Sequence, residues 1–190
     1  MPPFFVSNPE AVKNALIKLI IRIRFRLSST KRVQNQTRRL LADYLDLTRG
    51  LDERSGNQSV RVPPMLGVDE DMRDWSFLMI LQHNTIVNHA ISDVVRRLAL
   101  GEPEPEKKFD PKTDTVPDST CGMEEVTRFE ESVRSHLALL PTLGKLRGTA
   151  KAEHPIFGPF DAHMWSCLFP FHLQIHMKQA AFVRNAVLES

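Results

Sequence analysis

Residues 161–187, DAHMWSCLFPFHLQIHMKQAAFVRNAV, decide the fold class. Asp161 can cap a first turn, and Phe160 and Trp165 hold the flanking and fourth positions of a hydrophobic staple, so a helix starts here and reaches Val187. Pro170 lies inside it, where it removes one backbone hydrogen bond and crowds the carbonyl of Ser166, so a kink is expected. At 100° per residue, Trp165, Leu168, Phe169, His176, Gln179 and Val183 share the face of His172. That stripe is core-like, yet two imidazoles and an amide interrupt it.

The preceding segments carry the same period. Asn8-Pro9-Glu10 opens a first helix with Val12, Leu16, Leu19, Ile20, Ile23 and Leu27 at helical spacing, although Ile21 to Leu27 also alternates as a half-buried strand would. Helix is the reading adopted. Ser28-Ser29-Thr30 breaks and caps a second helix from about Lys31 to Arg49, with Val33, Leu40, Leu41, Tyr44 and Leu47 inward and Gly50 as its stop. Asp52 to Met72 reads as loop. Asp74 caps a long helix to Leu100 whose stripe is Ile80, Val87, Ile91, Val94 and Leu98, ended by Gly101. The proline-rich stretch from Gly101 to Gly122 is long enough for the next helix, Met123 to Leu140, to run parallel rather than as a hairpin. Val126, Phe129, Val133, Leu137 and Leu140 form its inward side. Pro141 to Gly158, punctuated by Gly and Pro, reads as loop. The expectation is one all-α domain over 1–190, a four-helix bundle at 31–190 with a long crossover and an extra N-terminal helix in residues 1–30.

Composition narrows the function. At 190 residues, 42% hydrophobic and 25% charged, the chain has a globular balance rather than that of a disordered or rod-like protein. The longest greasy run, Ala15 to Leu27, is broken by Lys18, Arg22, Arg24 and Arg26, so no membrane-spanning helix is expected. No basic leader with an apolar segment and a cleavage site precedes the first helix, which makes a cytoplasmic location the expectation. Cys121 and Cys167 are too few for a disulfide scaffold. Residues 1–50 hold ten Lys and Arg against three Asp and Glu, a local +7 in a chain of net +2. Phe25 and Tyr44 are the aromatic residues among these charges and no nucleic-acid motif accompanies them, so a solvated face is expected rather than a membrane surface or a nucleic-acid partner.

Chemistry concentrates in histidine. His83 shares its helix face with Met79, Ile80, Ile86, Val87, Ala90 and Val94, so it points inward. His172 and His176, four apart, stack about 6 Å apart along one face, a spacing that allows two imidazoles to share a metal. A buried imidazole without a partner costs about 1–3 kcal/mol. Three of them aimed at one interior are therefore either hydrogen-bonded core residues or ligands. His89 and His163 project away from this point, His136 reads as a hydrogen-bonded helix residue, and His154 as part of a His-Pro turn. Cys167 lies about 140° round the helix from His172, which leaves it off the ligand face.

The order Trp75-Ser76, His83, His154 to Pro159 (HPIFGP), Trp165, His172-x-x-x-His176 and Gln179 resembles the DinB-like superfamily of metal-binding four-helix bundles, over Lys31 to the C-terminus. Ile175 departs from that pattern, which commonly has Arg before the last His. The resemblance implies that His83, His172 and His176 bind a divalent metal, and Gln179 matches a Gln that often follows the last ligand. Gln179, or a carbonyl freed by Pro170, is a candidate to orient an imidazole N–H.

Three neutral imidazoles suit Zn²⁺, Ni²⁺, Fe²⁺ or Mn²⁺ and leave at least one position open to water or a small-molecule substrate. Leu173 stands where a His-Glu-x-x-His peptidase has its general base, which disfavours peptide hydrolysis. A low-molecular-weight thiol needs no such base, because the metal lowers its pKa. Some members of the resembling superfamily are thiol-dependent S-transferases, so the expected activity is thiol S-transfer or hydrolysis by activated water. The alternative is a non-catalytic metal-binding protein or an interaction protein whose bundle serves oligomerisation, for example as a homodimer; the amphipathic N-terminal segment has either its own bundle or a neighbour's to cover.

Overall fold

The computed structural model describes residues 9–105 and 110–189, with side chains from Val12 onward. Six helices follow one another: α1 (Pro9–Leu27), α2 (Thr30–Leu47), the one-turn α3 (Glu53–Gly56), α4 (Phe77–Leu100), α5 (Glu124–Leu139) and α6 (Ala162–Leu188). Between α5 and α6 lie two short strands, β1 (Lys151–His154) and β2 (Gly158–Asp161). The Asn8 start of the first helix falls outside the described residues.

Local chemistry sets the ends of the long helices. Ser29 accepts a hydrogen bond from the Arg32 amide to open α2. Asp161 opens α6 by accepting from the Met164 amide at 2.9 Å, while its second oxygen accepts from Gly148 at 3.0 Å. The expected staple forms too, with the Phe160 and Trp165 rings edge to face at 6.1 Å, and α6 continues as one helix past Pro170. The expected cap of α4 is corrected: Ser76, not Asp74, accepts from Met79, and Asp74 pairs instead with Arg61. Trp75 accounts for the shift, because its side chain is buried and its amide bonds Met72 O, so the chain turns before the helix can begin. Gly101, at φ +71°, closes α4 in the left-handed conformation that favours glycine.

Cross-links between helices give the topology. Asn88 donates to Ser132 at 2.9 Å and Ser92 meets His136 at 2.8 Å, two rungs rising together, so α4 and α5 run parallel as the long crossover allows. His83 meets His172 and His176, whereas His136, level with Ser92, stacks on Phe169 at 3.8 Å; α6 is therefore antiparallel to both. Tyr44 bonds Leu173 O and Arg184 reaches Arg49 O, which aligns α2 with α6. Since α4 packs on α5 and α6, and α2 packs on the same two, α2 and α4 occupy opposite corners of a four-helix bundle. Tyr44, Phe77, Ile80, Phe129, Phe169 and Leu173 fill its centre.

Two features depart from the sequence reading, and that reading leaves a third open. Within Pro141–Gly158, expected as loop, Lys151–His154 pairs antiparallel with Gly158–Asp161, so a two-stranded hairpin joins an otherwise helical fold. Strands of four residues are too short to display a period, and Pro159 masks the second one. The stretch expected as loop between α2 and α4 contains α3, closed by a capping box between Asp52 and Ser55. Finally, α1 is helical, as expected, and docks by its smaller side. Ile21, Arg22 and Phe25 face the body, where Phe25 packs on Phe160 and Phe171 at 5.8 and 5.5 Å, while its main apolar stripe faces outward.

Candidate metal centre

His83 on α4 and His172 and His176 on α6 converge, with ligand-capable nitrogens all within 4.8 Å of one another. The three rings lie 4.7 to 5.2 Å apart by their centres. Nε2 of His83 and Nε2 of His172 are 3.3 Å apart. Two nitrogens bound at 2.0–2.1 Å to one tetrahedral ion are about 3.3 Å apart, so this spacing needs little adjustment to take an ion.

Surrounding acceptors fix the orientation of two of the rings. Nδ1 of His83 lies 2.8 Å from Thr115 O, a carbonyl that can only accept, so this nitrogen carries the proton and Nε2 presents its lone pair to the cluster. Gln179 donates through Nε2 to Met72 O at 2.7 Å, which turns its Oε1 to His176. Nδ1 of His176 therefore donates to Oε1 at 2.9 Å, and its Nε2 is also left as an inward lone pair. His172 has a buried Nδ1 without a partner. The cluster thus gathers more unprotonated nitrogens than hydrogen bonds among the rings can satisfy, and a cation would satisfy them.

The electrostatics hold these imidazoles in the neutral form. Burial pushes His176 down to about 3, with the neighbouring His83 adding to the effect. His172 is lowered well below its ordinary value, first by burial and then by His176, His83 and His154. Burial also lowers His83, against an opposing pull from the Thr115 carbonyl. All three are unprotonated at neutral pH, as a metal requires of its imidazole ligands. The Trp75 ring lies against His83 at 4.9 Å and keeps water from that side.

The other candidates fall elsewhere. His89 is exposed. His163 donates to Phe25 O at 3.1 Å near the end of α1, and Cys167 lies 3.6 Å from the same ring, its thiol pushed up to about 12 by burial. His136 is sealed against Phe169 and Ser92. His154 stays in its turn, where Nδ1 accepts from the amides of Ile156 and Phe157 at 3.1 and 3.2 Å. Among the described residues the cluster contains no carboxylate and no thiol.

Sequence reasoning reached Gln179 but missed Thr115. The Thr115 carbonyl comes from the crossover, and a backbone oxygen has no signature in the residue that bears it. The Tyr44 hydroxyl was missed as well. It donates to Leu173 O at 2.9 Å and accepts from Asn84 at 3.2 Å, which ties α2 to the residues that directly follow two of the three histidines.

Compared with family models, curated proteins and solved structures, the chain finds no match. Among the described residues no helix is long and apolar enough to cross a membrane.

Proposed function

We propose that this protein binds one divalent metal through His83, His172 and His176 and uses it as an enzyme, in thiol S-transfer or in hydrolysis. The observation that carries the reading is the buried cluster of imidazoles, two of them held by carbonyl oxygens with their lone pairs turned to a common point. His136 and His163 each also keep one buried ring nitrogen without a partner, so the reading rests on three rings converging on one point rather than on any single unpaired nitrogen. The DinB-like resemblance supports the same ligand set and is the ground for naming thiol chemistry.

The residues divide the work. His83, His172 and His176 would hold the ion; Thr115 and Gln179 orient two of the rings; Trp75 excludes water; Tyr44 fixes the depth of α6 against α2. The metal would supply Lewis acidity, lowering the pKa of a thiol or water that reaches it. Thiol chemistry is favoured over hydrolysis because no carboxylate among the described residues stands in the cluster to serve as general base.

The test is metal analysis of the purified protein and of His83→Ala, His172→Ala and His176→Ala. Stoichiometric zinc, nickel, iron or manganese in the parent and its loss in all three variants is the expected result. Unchanged metal content in the variants sinks the site. Turnover of an electrophile with low-molecular-weight thiols should then disappear with chelation and return on metal addition; turnover indifferent to chelation removes the enzymatic reading.

A further inference from the structure

The apolar stripe of α1 has no partner in the described structure. Val12, Leu16, Leu19, Ile20, Ile23 and Leu27 are between 47% and 80% exposed, and from Val12 to Ile20 no side chain on any face is buried. At 100° per residue the six span about 100° of arc, a continuous ridge about 22 Å long. Isolated surface leucines need no explanation, but a contiguous aliphatic ridge does. Beside it, between the end of α1 and the start of α2, runs an open groove lined by Arg24, Lys31, Arg32 and Arg39 without a carboxylate. Lys31 and Arg32 also lie in the first turn of α2, where cations meet the positive end of the helix dipole and no acidic residue offsets them.

We infer that α1 and the first turns of α2 form a docking surface for an anionic lipid bilayer, with the ridge seated at the acyl boundary and Arg24, Lys31, Arg32 and Arg39 on the headgroup phosphates. Charge decides among occupants. Val12 to Leu27 carries five Lys and Arg and no Asp or Glu, so a second copy packed on the same ridge would set cation against cation along both flanks. The cationic surface continues from α1 onto a second helix, wider than a single helical partner about 10 Å across would cover, whereas a plane of phosphates meets all of it. A convex apolar ridge flanked by basic side chains is the form in which a helix lies in a membrane interface. The anchoring of α1 is compatible with this role. Phe25 holds it to Phe160 and Phe171, Arg22 bonds the carbonyls of Phe157 and Pro159, and Arg147 binds those of Arg26 and Ser28, all on the side away from the ridge.

The experiment is co-sedimentation of the full chain with vesicles of phosphatidylcholine alone or phosphatidylcholine with phosphatidylglycerol. The protein should pellet with the phosphatidylglycerol vesicles, remain free of the neutral ones, and be released by added salt. Leu16→Asp/Ile20→Asp should abolish binding, and Arg24→Gln/Arg32→Gln should weaken it about thirtyfold. All four side chains are exposed, so far-UV circular dichroism of the variants should match the parent. No binding to anionic vesicles overturns the inference, as does binding that survives Leu16→Asp/Ile20→Asp. A dimer in sedimentation velocity, dissolved by that same pair of substitutions in a protein that ignores vesicles, overturns it in favour of a second copy.

Discussion

Gln179 sits one turn beyond His176, and a single amide performs two tasks there: it accepts from the imidazole and donates to the carbonyl of Met72. Replacing it with Leu removes the acceptor that fixes the proton on Nδ1, and losses of this kind weaken metal binding about 10- to 100-fold. Competition of Gln179→Leu against a chelator of known affinity measures this, and Gln179→Glu, which keeps an acceptor, should bind closer to the parent. Tyr44 is a second residue with two partners. Tyr44→Phe leaves the buried Asn84 amide without its acceptor, so we expect a loss of about 1–3 kcal/mol in urea unfolding. At this scale the histidines were legible because the helical period places a side chain on a face. Thr115 was not, because its contribution is a main-chain oxygen delivered by a loop 32 residues away from His83 in the chain.

Among the elements, α6 depends most on its first residue. Asp161 caps α6 with one oxygen and holds Gly148 with the other, so it joins the helix to the segment leading into the hairpin. Asp161→Ala should destabilise the protein by about 1–2 kcal/mol, the upper part of the range for a lost cap, read from the urea midpoint at unchanged slope. The existence of the five long helices was readable, because caps and stops act within a few residues; the one-turn α3 was not. The hairpin and the orientation of α1 were not. A helix with apolar residues on one arc and Ile21 and Phe25 on the other offers two ways to dock, and the aromatic pocket of Phe160 and Phe171 selects the smaller side.

For the whole molecule, buried neutral histidines set the response to acid. His136 and His176 are pushed down to about 3 and His154 to about 4 by burial, below the ordinary 6.5 that they regain on unfolding. The unfolded chain therefore binds more protons below pH 6.5. The stability these groups contribute is complete above that value and is lost as pH falls towards 4, at about 1.4 kcal/mol per pH unit for each fully buried histidine. Urea unfolding of the metal-free protein at pH 7, 6, 5 and 4 should show this decline, and His136→Phe, which keeps the stack on Phe169 outside the metal cluster, should make it shallower by about one histidine's share. Bound metal should raise the thermal midpoint with concentration in the parent and leave it unmoved in His172→Ala.

Read alone, the chain specifies the five long helices, the parallel course of α4 and α5, and the inward aim of His83, His172 and His176, because periodicity, caps and connection length are local. Packing settles the rest: that the three imidazoles meet within 4.8 Å, that Thr115 and Gln179 turn two of them inward, and that no described residue covers the ridge of α1. These outcomes depend on distances between segments far apart in the chain. Such distances come from competition among whole faces for the same interior, which no short stretch of residues records.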